Sequence, residues 1–167
     1  MLLGGLASAQ QITGAALQVT GLTCSMCSKA TETSLRSLDF IEKITPDLNK
    51  NLFVLTFKKG KTVNIDLLRK KVQDAGFSVG SLEANFNFNQ VKLNESGLAV
   101  AGGNAYRFVN ARNKVLNGEV KATIVDKNFI PSSQFKKNAA KFDIPSYVTG
   151  KGLVEGKNTR IYHLSVS

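Results

Sequence analysis

Two cysteines, Cys24 and Cys27, are the only thiols in this 167-residue chain. They sit in Gly21-Leu22-Thr23-Cys24-Ser25-Met26-Cys27, separated by two residues. Two thiolates on one short loop can pinch a single ion, and thiolate sulfur prefers soft ions such as Cu(I). Two ligands suffice for Cu(I) or Hg(II), whereas a closed Zn(II) site takes four. The loop precedes a helical pattern, so Cys27 falls near a helix N-terminus, whose partial positive charge and free N–H groups favour thiolate. An ion held by two ligands stays open to a third thiolate from a partner, which suits exchange rather than storage.

Other readings of these residues compete. A disulfide across so short a loop would add little stability. A redox-active pair is the stronger rival, because thioredoxin-like CxxC motifs also open a helix after a strand. Against it, the chain has no Trp, and the elements after the loop run β-β-α-β. Met26 could lend a thioether, although this slot more often faces water. Phe77 either shields the loop or packs in the core. His163, the single histidine, lies in a strand pattern between Tyr162 and Leu164 and reads as a surface or packed residue rather than a ligand. One histidine with no convincing nucleophile partner argues against Ser/His/Asp or Cys/His catalysis. No enzyme, catalytic residue or organic cofactor is therefore expected, and Gly102-Gly103 reads as a turn rather than a phosphate loop.

The elements that must present the loop can be read in order. Residues 15–20 form a strand pattern with Leu17 and Val19 on one face. After the cysteines, Ala30, Leu35 and Leu38 recur at helical spacing. Residues 40–45 and 52–57 make a hairpin around the turn chemistry of residues 49–51. A second amphipathic helix starts near Asp66, carries Leu67, Leu68 and Val72, and ends at Gly76 as a C-cap glycine would end it. Phe77-Ser78-Val79 opens a short last strand. The order β-α-β-β-α-β is the split βαβ of ferredoxin-like domains, an α+β fold.

With Gly21-Leu22-Thr23-Cys24-x-x-Cys27 after the first strand and Asp74-Ala75-Gly76-Phe77 closing the second helix, residues 15–82 resemble the heavy-metal-associated domain family. That family includes copper chaperones, the metal-binding domains of copper-transporting P-type ATPases and a periplasmic mercury-binding protein. The resemblance implies Cys24 and Cys27 as metal ligands and Cu(I) as the ion, with Hg(II) or Zn(II) as alternatives. It also implies a copper-transporting ATPase or efflux component as partner. One position departs from the family pattern: Leu22 stands where Met usually precedes the Thr. That side chain packs under the loop in the family, so the ligands are retained.

Residues 84–167 are expected to form a separate, mostly β domain. Phe86, Phe88, Val91 and Leu93 suggest one strand, with a shift between Phe88 and Val91. Residues 105–109 and 119–125 suggest two more, separated by an Asn117-Gly118 turn. Pro131 opens a helix carrying Phe135, Ala139 and Phe142. Residues 147–154 and 159–166 close with a hairpin. Three strands, a helix and two strands is the order of an OB-like small barrel.

Charge is uneven. Residues 1–83 carry 10 Lys+Arg against 7 Asp+Glu, and residues 84–167 carry 12 against 5. The aromatics of the second half are scattered rather than set in a stacking row, so nucleic acid is not the expected ligand. No stretch reaches the ~20 apolar residues of a membrane-spanning helix. Residues 1–14 read as a signal-peptide remnant and linker, with Ala7-Ser8-Ala9 as a small-x-small cleavage site. On that reading the protein is periplasmic or secreted, and it is cytoplasmic if the leader is no signal. The alternative function is then a periplasmic thiol-disulfide redox protein, or a mercury-binding protein of the same fold.

Overall fold

The computed structural model describes residues 12–167, so residues 1–11 of the expected signal remnant and linker lie outside the described residues, whereas residues 12–14, expected as linker, open the first strand. The first half follows the expected order. Strand β1 (Ile12–Thr20) leads through the cysteine loop into helix α1 (Ser25–Arg36), then β2 (Ile41–Asp47), β3 (Leu52–Phe57) and helix α2 (Ile65–Asp74). β3 and β2 pair antiparallel, and β3 pairs antiparallel with β1. Leu17 and Val19 of β1 are buried, as their alternation requires. Gly14 permits the close approach of β3, because a Cβ there would stand 2.7 Å from the Leu55 carbonyl oxygen.

Each helix has an identifiable start. The Asn64 side chain accepts a hydrogen bond from the Leu67 N–H at 3.2 Å and caps α2. Ile65, Leu68 and Val72 then bury one stripe. Gly76, at φ +96°, ends that helix in the left-handed region. In α1 the buried face is Ser28, Thr31 and Leu35, while Ala30 is exposed. The expectation placed Ala30 inward on apolarity alone. The actual face works because small Ser28 fits against the sheet and the Thr31 hydroxyl donates to the Cys27 carbonyl at 3.0 Å.

The second half is built on the first rather than beside it. Strand β4 (Ser78–Lys92) is one fifteen-residue strand, not the short strand expected after α2 followed by a separate one. It pairs with β1 along one edge and with β7 (Val115–Ile124) along the other. The boundary expected near residue 83 therefore falls inside β4. The sheet continues through β9 (Lys157–Val166) to β6 (Asn104–Phe108) and β5 (Leu98–Ala101), giving the path β2-β3-β1-β4-β7-β9-β6-β5, with β8 (Lys151–Val154) paired to β9.

The expected OB-like barrel does not close: β2 and β5 end the path without pairing to each other. The sheet nevertheless curls. Phe86 of β4 lies edge-on to Tyr106 of β6 at 5.4 Å, and Phe88 meets Phe108 at 6.2 Å, although β7 and β9 run between those strands. One large apolar core runs from Ile12 to Leu164, and a small second cluster gathers Ala105, Val154 and Ile161. Asn117-Gly118, expected as a turn, lies within β7 opposite the bulge between Phe88 and Val91, so the turn signal marks a bulge here. Helix α3 (Ser132–Phe142) occurs where predicted, but the strand expected over residues 147–154 is shortened to β8, because Pro145 at the first turn starts the short helix α4 (Pro145–Thr149) and Gly150 ends it; β5 carries no strong sequence signal. None of the helices among the described residues is long and apolar enough to cross a membrane.

Charged groups stitch α2 to β9. Arg160 donates to both carboxylate oxygens of Asp66 (2.9 and 3.1 Å), and its guanidinium also stacks over the Tyr162 ring at 4.3 Å. The Tyr162 hydroxyl donates to Asp66 at 3.1 Å. Burial alone would raise the Asp66 pKa. The Arg160 hydrogen bond and charge, with Tyr162 and Arg69, outweigh it and hold the carboxyl below its ordinary value. A carboxyl depressed in the folded state stabilises the fold above its unfolded pKa, and that contribution disappears as pH falls through the folded value. Asp66→Asn is therefore expected to lower stability by about 1–2 kcal/mol near neutral pH. The gap between variant and wild type should close below the usual carboxylate range, which denaturant unfolding at a series of pH values measures.

Candidate metal centre

The cysteine loop lies at the mouth of the β1–α1 connection. Gly21 turns the chain at φ +90°, and a Cβ there would stand 3.4 Å from Cδ1 of Phe77. Phe77 is half-buried and, like Leu22, packs against the core. The core-packing reading of Phe77 is the one its contacts support, and its ring lies beside the Gly21 turn. Leu22 sits half-buried in the place expected of the Met it replaces.

Cys24 is the N-cap of α1: its backbone is extended (φ −154°, ψ 163°), and its Sγ accepts from the Cys27 N–H at 3.3 Å. Cys27 lies in the first turn, where helix N–H groups are free and the dipole favours negative charge. The two sulfurs are 2.6 Å apart, and both residues are free cysteines. The hydrogen bond from Cys24 is the main influence pulling the Cys27 thiol below its ordinary pKa; burial opposes it, and Thr23 assists from 4.0 Å. Cys24 is exposed and Cys27 half-exposed, so the pair is open to solvent and to other proteins. A small recess of about 240 Å³ lined by Leu22, Thr23, Cys24 and Asn51 adjoins it.

This donor set fits one soft ion. With metal–sulfur bonds of roughly 2.3 Å, two sulfurs flanking an ion in line must open to about twice that separation. The exposure of the loop leaves room for such a movement. Among the described residues no group of three or more His, Cys, Asp or Glu gathers to complete a closed site. Met26 is 80% exposed, in keeping with a side chain that faces water.

Comparison with known proteins bears on the same segment. Residues 16–78 match the heavy-metal-associated domain. This segment is a heavy-metal-associated domain. Over 63 residues the chain is 30% identical to a probable copper-exporting P-type ATPase of Archaeoglobus fulgidus, spanning 38% of this chain and 8% of that relative's length. Among solved structures, the yeast copper transporter domain Ccc2a, studied in apo and Cu(I)-loaded states, is 31% identical; the match covers 39% of this chain and 88% of the domain, at a TM-score of 0.36. Apo-CopP from Helicobacter pylori is 26% identical, over 40% of this chain and 97% of CopP, at 0.35. The domain has the ferredoxin-like α+β fold.

His163 is placed away from this chemistry. It is fully buried, its Nδ1 2.9 Å from Asp126 Oδ1 and its Nε2 2.9 Å from Ser146 Oγ. Sequence reasoning missed this Ser-His-Asp arrangement, because its members come from the β7–α3 connection, α4 and β9 and share no local pattern. It carries no catalytic reading. Asp126 and Ser146 are also buried, none of the three lines a cavity described for this molecule, and Asp126 is engaged by Arg160 and the His163 N–H. The arrangement ties α4 to the sheet.

Because the Cys24 hydrogen bond is the leading cause of the lowered Cys27 pKa, Cys24→Ala should move alkylation of Cys27 to higher pH. The pH–rate profile for iodoacetamide, with mass spectrometry to follow Cys27, reads this directly.

Proposed function

We propose that this protein binds one Cu(I) through Cys24 and Cys27 and hands it to a partner by thiolate exchange. The observation that carries this reading is the convergence of two solvent-facing sulfurs at the start of α1 within a heavy-metal-associated domain. Both ligands come from one loop, so the ion keeps an open side. A partner thiolate enters there as a third ligand, and one bond to Cys24 or Cys27 then breaks. Residues 15–82 act as the metal-handling unit. The partner fits the class of copper-transporting ATPase or efflux component, given relatives whose names describe copper export and copper transport. Hg(II) suits the same two-sulfur geometry, and Zn(II) suits it less well because it seeks four ligands.

A second reading is supported by the closeness of the sulfurs. Exchange with a partner's disulfide would join them while that disulfide is reduced to two thiols, so a thiol-disulfide role, or a redox gate on metal binding, uses the same pair.

Anaerobic titration of the reduced protein with Cu(I), in competition with a chromogenic chelator, should give one ion per chain. Cys24→Ser or Cys27→Ser should weaken binding by more than the roughly 10–100-fold that outer-shell changes cost at metal sites. Tight binding retained by the double variant overturns the proposal. Catalysed reduction of insulin by the metal-free protein would move the assignment to the redox reading.

A further inference from the structure

A cavity of about 930 Å³ opens between the C-terminal end of β6, the loop that follows it and the last turn of α3. It shares no lining residue with the recess at the cysteine loop. Its wall carries Arg107, Arg112, Lys114 and Lys141, and no carboxylate lines it among the described residues. Like charges gathered around one concavity repel, and low-dielectric walls concentrate their field. None of the four takes part in an ion pair among the described residues; those pairs use Arg36, Lys61, Arg69, Lys70, Arg160 and His163.

The neighbouring polar groups are, by contrast, already satisfied. Asn110 bonds both the N–H and the carbonyl of Val166, and Asn138 donates to the Tyr147 hydroxyl. Arg107 differs: its Nε is buried without a hydrogen-bond partner. Burial, and then the Arg112 charge, pull its guanidinium below its ordinary pKa. An anion in the cavity would offset the repulsion between Arg107 and Arg112. Phe142 and Ile144 add apolar wall, and the volume falls within the range of small-molecule sites.

We propose that this cavity binds a small polyanion, a molecule carrying two or more clustered phosphate or carboxylate groups, with Arg107, Arg112, Lys114 and Lys141 as its counter-charges. Guanidinium groups match planar or tetrahedral oxyanions with two parallel N–H donors, and the lysines supply mobile point charges. A nucleic-acid strand fits less well. Its bases need a row of exposed aromatic faces, whereas of the two aromatics here Phe108 is buried against Phe88 and only the half-buried Phe142 remains.

The test is titration of the full-length reduced protein with pyrophosphate and, separately, with citrate, at matched ionic strength, followed by amide NMR shifts and calorimetry. Saturable binding is expected, with shifts concentrated at residues 109–112 and at Ser165. The paired change Lys114→Gln and Lys141→Gln, at two exposed positions, should weaken it by about tenfold or more. Melting temperature and Cu(I) stoichiometry should stay unchanged. Arg107→Gln should weaken binding as well. Preference for pyrophosphate assigns the phosphate class, and preference for citrate the carboxylate class. Shifts that follow ionic strength alone, or binding equal in wild type and the paired variant, overturn the proposal. So does displacement of either probe by a short oligothymidylate with shifts spreading well beyond the cavity.

Discussion

Strand β4 is the constraint on which the molecule depends. A ferredoxin-like sheet ordered β2-β3-β1-β4 leaves β4 at an edge, with a row of unpaired N–H and C=O groups that invites pairing with another chain. Here the strand runs on for fifteen residues, and its free side is filled by β7 of the same chain. The second half therefore takes its register from the first. Phe86 and Phe88 of the extended part face the core, and the bulge before Val91 bends the strand so that β6 can fold over them. Cysteine loop and basic cavity stand on one continuous backbone scaffold.

A polar lock reinforces this continuity away from the sheet. Arg160 reaches Asp66 at the start of α2 and Asp126 after β7, and Asp126 in turn holds His163 and, through it, Ser146. A buried charge is tolerable only when paired and hydrogen-bonded. Asp126 meets that condition with Arg160, the His163 ring and the His163 N–H. With Asp126 ionised, the network assigns the proton to Nδ1 and leaves Nε2 to accept from Ser146. What resembles a nucleophile triad ties α4 to β9 and the β7–α3 connection, with all three side chains buried.

The first half was legible because its signals are local. Leu17 and Val19 alternate, Gly76 stops a helix, and the two cysteines stand on one loop. The reading failed where the deciding contact is distant. Nothing near Ala30 says that Ser28 and Thr31 pack inward instead. Asn117-Gly118 is a turn by composition and a bulge by pairing, because β4 lies opposite it. Continuity of β4 across residue 83 could not be inferred while the strand pattern was taken to end with the ferredoxin-like unit. Arg107 and Lys141 are ordinary surface residues in sequence, and only folding brings them around one cavity. The same holds for Ser146, Asp126 and His163.

One detail of the cysteine loop reaches beyond metal capture. The sulfur of Cys24 is both a candidate ligand and the N-cap acceptor for the Cys27 amide. Thiolate is a stronger acceptor than thiol, and a sulfur whose lone pairs are drawn to an ion is a weaker one. The first turn of α1 is thus tethered to the chemical state of the loop: the cap is firmest when Cys24 is a thiolate, and any ligand that drew on that sulfur would loosen it. Thr31, one turn on, donates to the Cys27 carbonyl and braces the same turn with a second side chain. Ligation at Cys24 and the order of the α1 start therefore draw on the same lone pairs, and occupying them for one would weaken the other.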